Sequence, residues 1–258
     1  KGDFAKSLEL AQKMMQNTDT TSLIGRDYLY YARVLGKNNM AAEALVQYEN
    51  AIAKDTANVA LYKEMAEVAE KANLTDQAIS YYTDYIRKGG EEVKIADYFS
   101  LGQTYYIAAS AFLPQDNTPL SEADSLKMMP YALAADSLFG YVAERVPDSY
   151  MGNFWRARTN SVIDHLSTAG LAKPYYEKAI ELIDPEKNPK QLLEAYRYMA
   201  YYYYLQEDRD NSLKYCDLIL GMAPVARGGG RSDGDTTLLL LRHPVHGGGA
   251  VVRLAELV

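Results

Sequence analysis

The sequence predicts an all-α chain of about five stacked helix pairs with an irregular C-terminal tail. Three observations carry this. Ala44, Tyr48 and Ala51 are answered 34 residues on by Ala78, Tyr82 and Tyr85. Within each segment the small and apolar residues stand three, four and seven apart, which places them on one helical face. Between the helical patterns stand Asn39 and, 34 residues later, Asn73, a residue type that tolerates left-handed backbone in a turn. A fixed period of this length marks a repeat array, whose units bury their apolar faces on one another and offer an extended surface.

Segments 25–58 and 59–92 set the pattern. Each first helix carries an aromatic, a large residue and a small one: Tyr28, Tyr31 and Ala32, then Tyr62, Met65 and Ala66. Ala44 or Ala78 follows twelve residues after the small residue, and Tyr48 or Tyr82 four after that. The small residues let two helices approach closely. Tyr98, Leu101, Gly102 and Tyr105 open a third unit, 95–147, completed by Ala135, Phe139, Val142 and Pro147. Gly102 and Ala135 are 33 apart rather than 12, so this unit holds an insertion. Its stretch 113–130, with Pro114, Pro119 and Pro130, reads as a loop, in which Ser121 to Asp124 could begin a short helix.

The fourth unit, 148–184, reads Met151, Phe154 and Trp155, then Ala172, Tyr176 and Ala179. Trp155 falls where a small residue is expected, so either the packing or the register differs there. The fifth, 193–224, reads Tyr196, Met199, Ala200 and Tyr203, then Ser212, Cys216, Ile219 and Pro224. Ser7, Ala11 and Met14 within 1–19 read as the second half of a unit.

This order of aromatic, leucine-glycine, tyrosine, alanine, aromatic and proline resembles the tetratricopeptide repeat from Lys1 to Pro224. The resemblance implies a right-handed α-α superhelix whose first helices line a concave groove. The segment from Ser149 to Tyr176, with Asn153 to Arg158 and Gly170 to Tyr176, resembles tetratricopeptide proteins of Bacteroidota. That likeness implies export to the periplasm. The compartment is otherwise left open.

Carried over by register, the groove residues are Arg33 and Lys37, Lys63 and Glu67, Gln103 and Tyr106, Arg156 and Asn160, and Arg197, Tyr201 and Tyr204. Cations among tyrosines suit an acidic or aromatic peptide. The family's clamp for a C-terminal carboxylate is not expected, because Lys37, Lys63, Arg156 and Asn160 are scattered. The implied function is a non-catalytic scaffold for a protein or peptide partner. Two alternatives stand beside it: a glycan-binding helical protein of a bacterial uptake system, or the repeat portion of a larger enzyme or regulator.

Composition narrows the field. The 258 residues are 48% hydrophobic, as in a folded chain, and the net charge of −7 argues against a general nucleic-acid binder. Cys216 is the lone cysteine, so neither an intrachain disulfide nor a cysteine-based zinc site can form. No cofactor or metal is implied, and the oligomeric state is not legible. The apolar run Leu238 to Leu241 is too short to span a bilayer. The start at Lys1, without a signal-like stretch, suggests a piece of a longer protein with any export signal upstream. Tyrosine is the outlier, with 23 residues against five phenylalanines and one tryptophan. Its reading is as the aromatic wedge between helices, with the hydroxyl reaching water.

No catalytic constellation emerges. Asp164 and His165 are adjacent and point about 100° apart on a helix. Cys216 stands at the aromatic wedge of its unit, where burial would leave it unreactive. Residues 225–258 depart from the pattern, with seven of the 17 glycines, no lysine, no tyrosine, and Arg227, Arg231, Arg242 and Arg253 as the only cations besides histidine. Two readings stand for this tail: an out-of-frame or foreign extension, or a flexible tail whose end, Ala250 to Val258, docks on the last repeat. Its glycine run, Gly228 to Gly234, lacks the lysine of a phosphate loop, and His243 and His246 flank Pro244 with no third ligand nearby.

Overall fold

The computed structural model describes residues 3–116 and 118–222. Among them are eleven α-helices: α1 (Phe4–Asn17), α2 (Gly25–Lys37), α3 (Ala41–Lys54), α4 (Ala60–Lys71), α5 (Thr75–Lys88), α6 (Ile95–Ser110), α7 (Glu122–Arg145), α8 (Tyr150–Ile163), α9 (Lys173–Leu182), α10 (Pro189–Leu205) and α11 (Arg209–Met222). The chain divides into two compact units between Thr104 and Tyr105, inside α6. The tail 225–258, with Pro224, Asn117 and Lys1, lies outside the described residues.

In the first unit the small residues sit at the helix crossings. Ala32, Ala44, Ala66 and Ala78 are fully buried, and Leu35, Tyr48, Leu61 and Met65 pack around them. The turns repeat as faithfully as the core. Asn39 at φ 60° and Asn73 at φ 58° adopt the left-handed conformation. The following N–H groups close the helix ends, Met40 onto the carbonyl of Leu35 at 3.1 Å and Leu74 onto that of Ala69 at 2.9 Å.

In the second unit the same closure recurs after α10. Glu207 takes φ 56°, and the N–H of Asp208 donates to the carbonyl of Tyr203 at 3.0 Å. Here the core is more aromatic, with Phe154, Tyr176 and Tyr198 beside Ala157, Ala172 and Ala195.

Two expectations need correcting. The stretch 113–130 is not a loop throughout, because α7 starts at Glu122 and runs unbroken for 24 residues with Pro130 inside it. Ser121 caps it, accepting from the N–H of Asp124 at 3.1 Å. Burial of Met128 and Ala132, and stacking of Phe112 on Tyr131, hold the helix together past the proline. In α8, Trp155 does not occupy a close crossing. The tight approach is at Gly152, where a Cβ would lie 2.6 Å from the backbone nitrogen of Ala143. Trp155 instead packs its ring on Tyr106 and Phe139.

Candidate functional site

First helices of successive repeats are joined by ion pairs, and these pairs take up several residues of the expected groove. Arg33 on α2 holds Glu64 on α4 with two hydrogen bonds, of 2.9 Å and 2.6 Å, and Tyr48 donates to the same carboxylate at 3.0 Å. The guanidinium beside Glu64 keeps that carboxyl below its ordinary range. Lys63 on α4 reaches Asp97 on α6 at 2.5 Å, and Asp97 is 2% exposed. Asp97 also accepts from the N–H of Lys94 at 2.7 Å, so it caps α6 as it anchors the lysine.

The second unit repeats the device. Arg158 and the buried Tyr176 on one side meet Glu194 of α10 on the other, with the arginine Nε at 2.6 Å and the phenol at 3.3 Å. Arg156 is held by Asp136 of α7 at 3.0 Å and 2.9 Å and lies over the ring of Tyr175 at 4.2 Å. Asn160 donates to the same Asp136 at 2.8 Å. The structure thus brings Arg156 and Asn160 together on an internal carboxylate.

Other predicted residues differ in their surroundings. Tyr106 is a correction: it is 6% exposed and packs edge-on against Trp155, so it belongs to the core and offers nothing to a partner. Gln103 is half-buried on α6. Arg197 on α10 buries its Nε without a hydrogen-bond partner, and this burial pulls its pKa down. Tyr201 and Tyr204 are half-buried, and Tyr204 lines a recess of about 340 Å³ with Leu205, Glu207, Arg209 and Ser212. The large hollow along α10 and α11, about 740 Å³, takes in none of the predicted residues.

One opening in the first unit gathers three of them. Arg33, Lys37 and Glu67 line a cleft of about 420 Å³ between α2, the start of α3, and α4. Lys71 lines it too, and the sequence reading overlooked it although it stands one period after Lys37. Lys37, Glu67 and Lys71 are exposed, and no ion pair joins them to any described residue.

Chemistry elsewhere is structural. The carboxylate of Asp164 accepts from the N–H groups of Thr168 (3.1 Å), Ala169 (3.0 Å) and Gly170 (2.8 Å), shaping the loop before α9. His165 bonds the carbonyl of Thr118 at 3.0 Å. Cys216 is buried, and burial pushes its thiol up. Among the described residues no group of three or more His, Cys, Asp or Glu could hold a metal ion, and no helix is long and apolar enough to cross a membrane.

No protein-family model matches the sequence, and no curated protein does. Among solved structures the chain is similar to the C-terminal part of a TPR repeat-containing protein from Cytophaga hutchinsonii. The two are 28% identical with a TM-score of 0.65, over 87% of this chain and 79% of that one. YrrB, described as a TPR protein with an unusual peptide-binding site, aligns at 16% identity and a TM-score of 0.49, over 87% of this chain and 94% of its own. A tetratricopeptide repeat protein from Parabacteroides merdae aligns at 16% and 0.38, over 93% and 91%.

Proposed function

We propose that this chain of tetratricopeptide repeats is a non-catalytic scaffold that binds a peptide or protein partner on its first helices. The observation that carries the reading is the cleft between α2 and α4, where Lys37, Glu67 and Lys71 remain after the neighbouring charges have paired internally. Charged groups with a role in holding the fold are bonded across helices, as Arg33, Lys63 and Arg158 are. Those left facing a shaped opening are available to a ligand.

The aromatic residues favour this over the glycan alternative. Phe4 and Tyr30 are the only exposed aromatics among the described residues. Tyr203 of α10 stacks on Tyr215 of α11 at 5.9 Å and 13°, so one face of each ring is covered by protein. A sugar platform needs those faces free.

The test is selection of a random peptide display library on the immobilised protein, followed by calorimetry of enriched peptides against wild type and Lys37→Ala/Lys71→Ala. Saturable one-to-one binding that weakens in the double variant is expected. Failure to enrich any sequence over a blank surface would sink the reading.

A further inference from the structure

We propose that the outer face of α11 is a self-association surface, on which a second copy of this chain packs antiparallel about a two-fold axis. This goes beyond the peptide reading and does not depend on it. α11 turns Ser212, Cys216 and Ile219 inward, where all three are buried. At about 100° per residue, Asp210, Lys214, Asp217 and Gly221 fall on the opposite side of the helix, within roughly 60° of one another. All four are exposed, and all four border the hollow of about 740 Å³ along α10 and α11. Leu213 and Leu218 flank this stripe on either side, and Leu218 is 39% exposed.

The charges on the stripe are unpaired. No ion pair joins Asp210, Lys214 or Asp217 to any described residue. Other exposed lysines of this unit do pair along their own segments, Lys178 with Glu181 and Lys187 with Asp184, at a spacing of three. Lys214 and Asp217 have the same spacing and stay apart. The Lys214 ammonium lies instead 5.7 Å from the centre of the Tyr215 ring. Both charges are therefore open to a partner, and they are of opposite sign on one stripe.

The order of residues makes the stripe complementary to itself. Where a two-fold axis relates two helices, every contact occurs twice with the roles exchanged. With the axis between Tyr215 and Cys216, Lys214 faces the partner's Asp217, and Asp217 faces the partner's Lys214. Both pairs are charge-assisted. In the same register Asp210 faces the partner's Gly221, where a Cβ would meet nothing within 4 Å, so that carboxylate meets open space and no like charge. Moving the axis onto Lys214 or Asp217 sets that charge against its own copy, so electrostatics selects one register. Leucines close both edges. Leu218 lies beside the partner's Leu218, over the hollow walled by Leu192 and Tyr196, and Leu213 lies beside the partner's Leu213. α11 is 14 residues long, which puts the contact at the small end for specific association and makes the dimer reversible.

The test is sedimentation equilibrium of the full chain at low salt, from about 1 to about 500 µM. A dimer is expected to appear with rising concentration, and nothing larger, because a contact of this symmetry closes at two. Lys214→Asp and Asp217→Lys each place like charge on like charge twice and should weaken dimerisation about tenfold or more. Mixed together, the two variants should form a heterodimer at least as tight as the wild-type dimer, since one copy then presents two acids and the other two lysines. That recovery also shows that both variants are folded. Lys54→Asp changes the net charge equally on the exposed side of α3 and should shift dimerisation by less than about twofold. The proposal is overturned by species larger than a dimer, by wild-type affinity in either single variant, or by a mixture that fails to associate. A chain that stays monomeric throughout overturns it too, and leaves this face to a different protein or to residues 223–258.

Discussion

At the scale of single residues, two glutamates show how the same device differs in strength with burial. Glu64 takes Arg33 and Tyr48, and Glu194 takes Arg158 and Tyr176. Arg33 is 51% exposed, whereas Arg158 is 19% exposed and Tyr176 is fully buried. Removing the charge of Glu194 strands a guanidinium and a phenol away from water, while Arg33 regains solvent when Glu64 is neutralised. Glu194→Gln is therefore expected to cost about 3 kcal/mol. Glu64→Gln should cost about 1 kcal/mol or less. Urea denaturation of both variants checks this, and an equal or reversed order would show that burial is not what sets the strength. The glutamate–tyrosine pairing was not legible beforehand. Sequence gives residue type and period but not the partner across the helix crossing, so it places the tyrosines as wedges with their hydroxyls in water.

At the scale of elements, the connections between helices show which signals a sequence transmits. Asn39 and Asn73 announced their left-handed turns because asparagine tolerates that conformation. Glu207 occupies the same place after α10 and Ser167 is left-handed in the loop before α9, yet neither residue type advertises it. Prolines misled in the other direction. Pro130 reads as loop by its missing N–H, but it lies within α7, where packing on both sides outweighs one lost hydrogen bond. The close approach at Gly152 has no counterpart in the repeat pattern, which puts the small residue at the position of Trp155, three residues on. The turn after α10 gives a direct test. Glu207 is exposed and pays left-handed strain that glycine does not, so Glu207→Gly is expected to stabilise the chain by about 0.5–1 kcal/mol. A thermal melt with no rise in midpoint would mean that the strain is relieved locally.

At the scale of the whole molecule, the tyrosine excess becomes a statement about pH. Buried phenols recur in both units, several of them against carboxylates: Tyr48 on Glu64, Tyr82 on Glu70, Tyr176 on Glu194. Burial first, and then the adjacent carboxylate, pushes all three above the ordinary tyrosine range. Burial likewise raises Tyr198, and burial first, then the carboxylate of Glu49, pushes Tyr81 up to about 12. In the unfolded chain these groups ionise near pH ~10. A group whose folded pKa is raised binds its proton more tightly when folded, so its contribution is complete below pH ~10 and is lost as pH climbs through the folded value. Several such groups add, and their losses overlap. Thermal stability is therefore expected to hold level up to pH ~9.5 and then fall steeply, with a step in tyrosinate absorbance from the buried phenols accompanying the loss of helical signal. Tyr48→Phe removes one ionisable phenol and should flatten the alkaline limb while leaving Glu64 bonded to Arg33. If no step in tyrosinate absorbance accompanied melting, the buried phenols would be titrating in the folded chain, and their burial would not be what links the tyrosine content to the stability of the repeats.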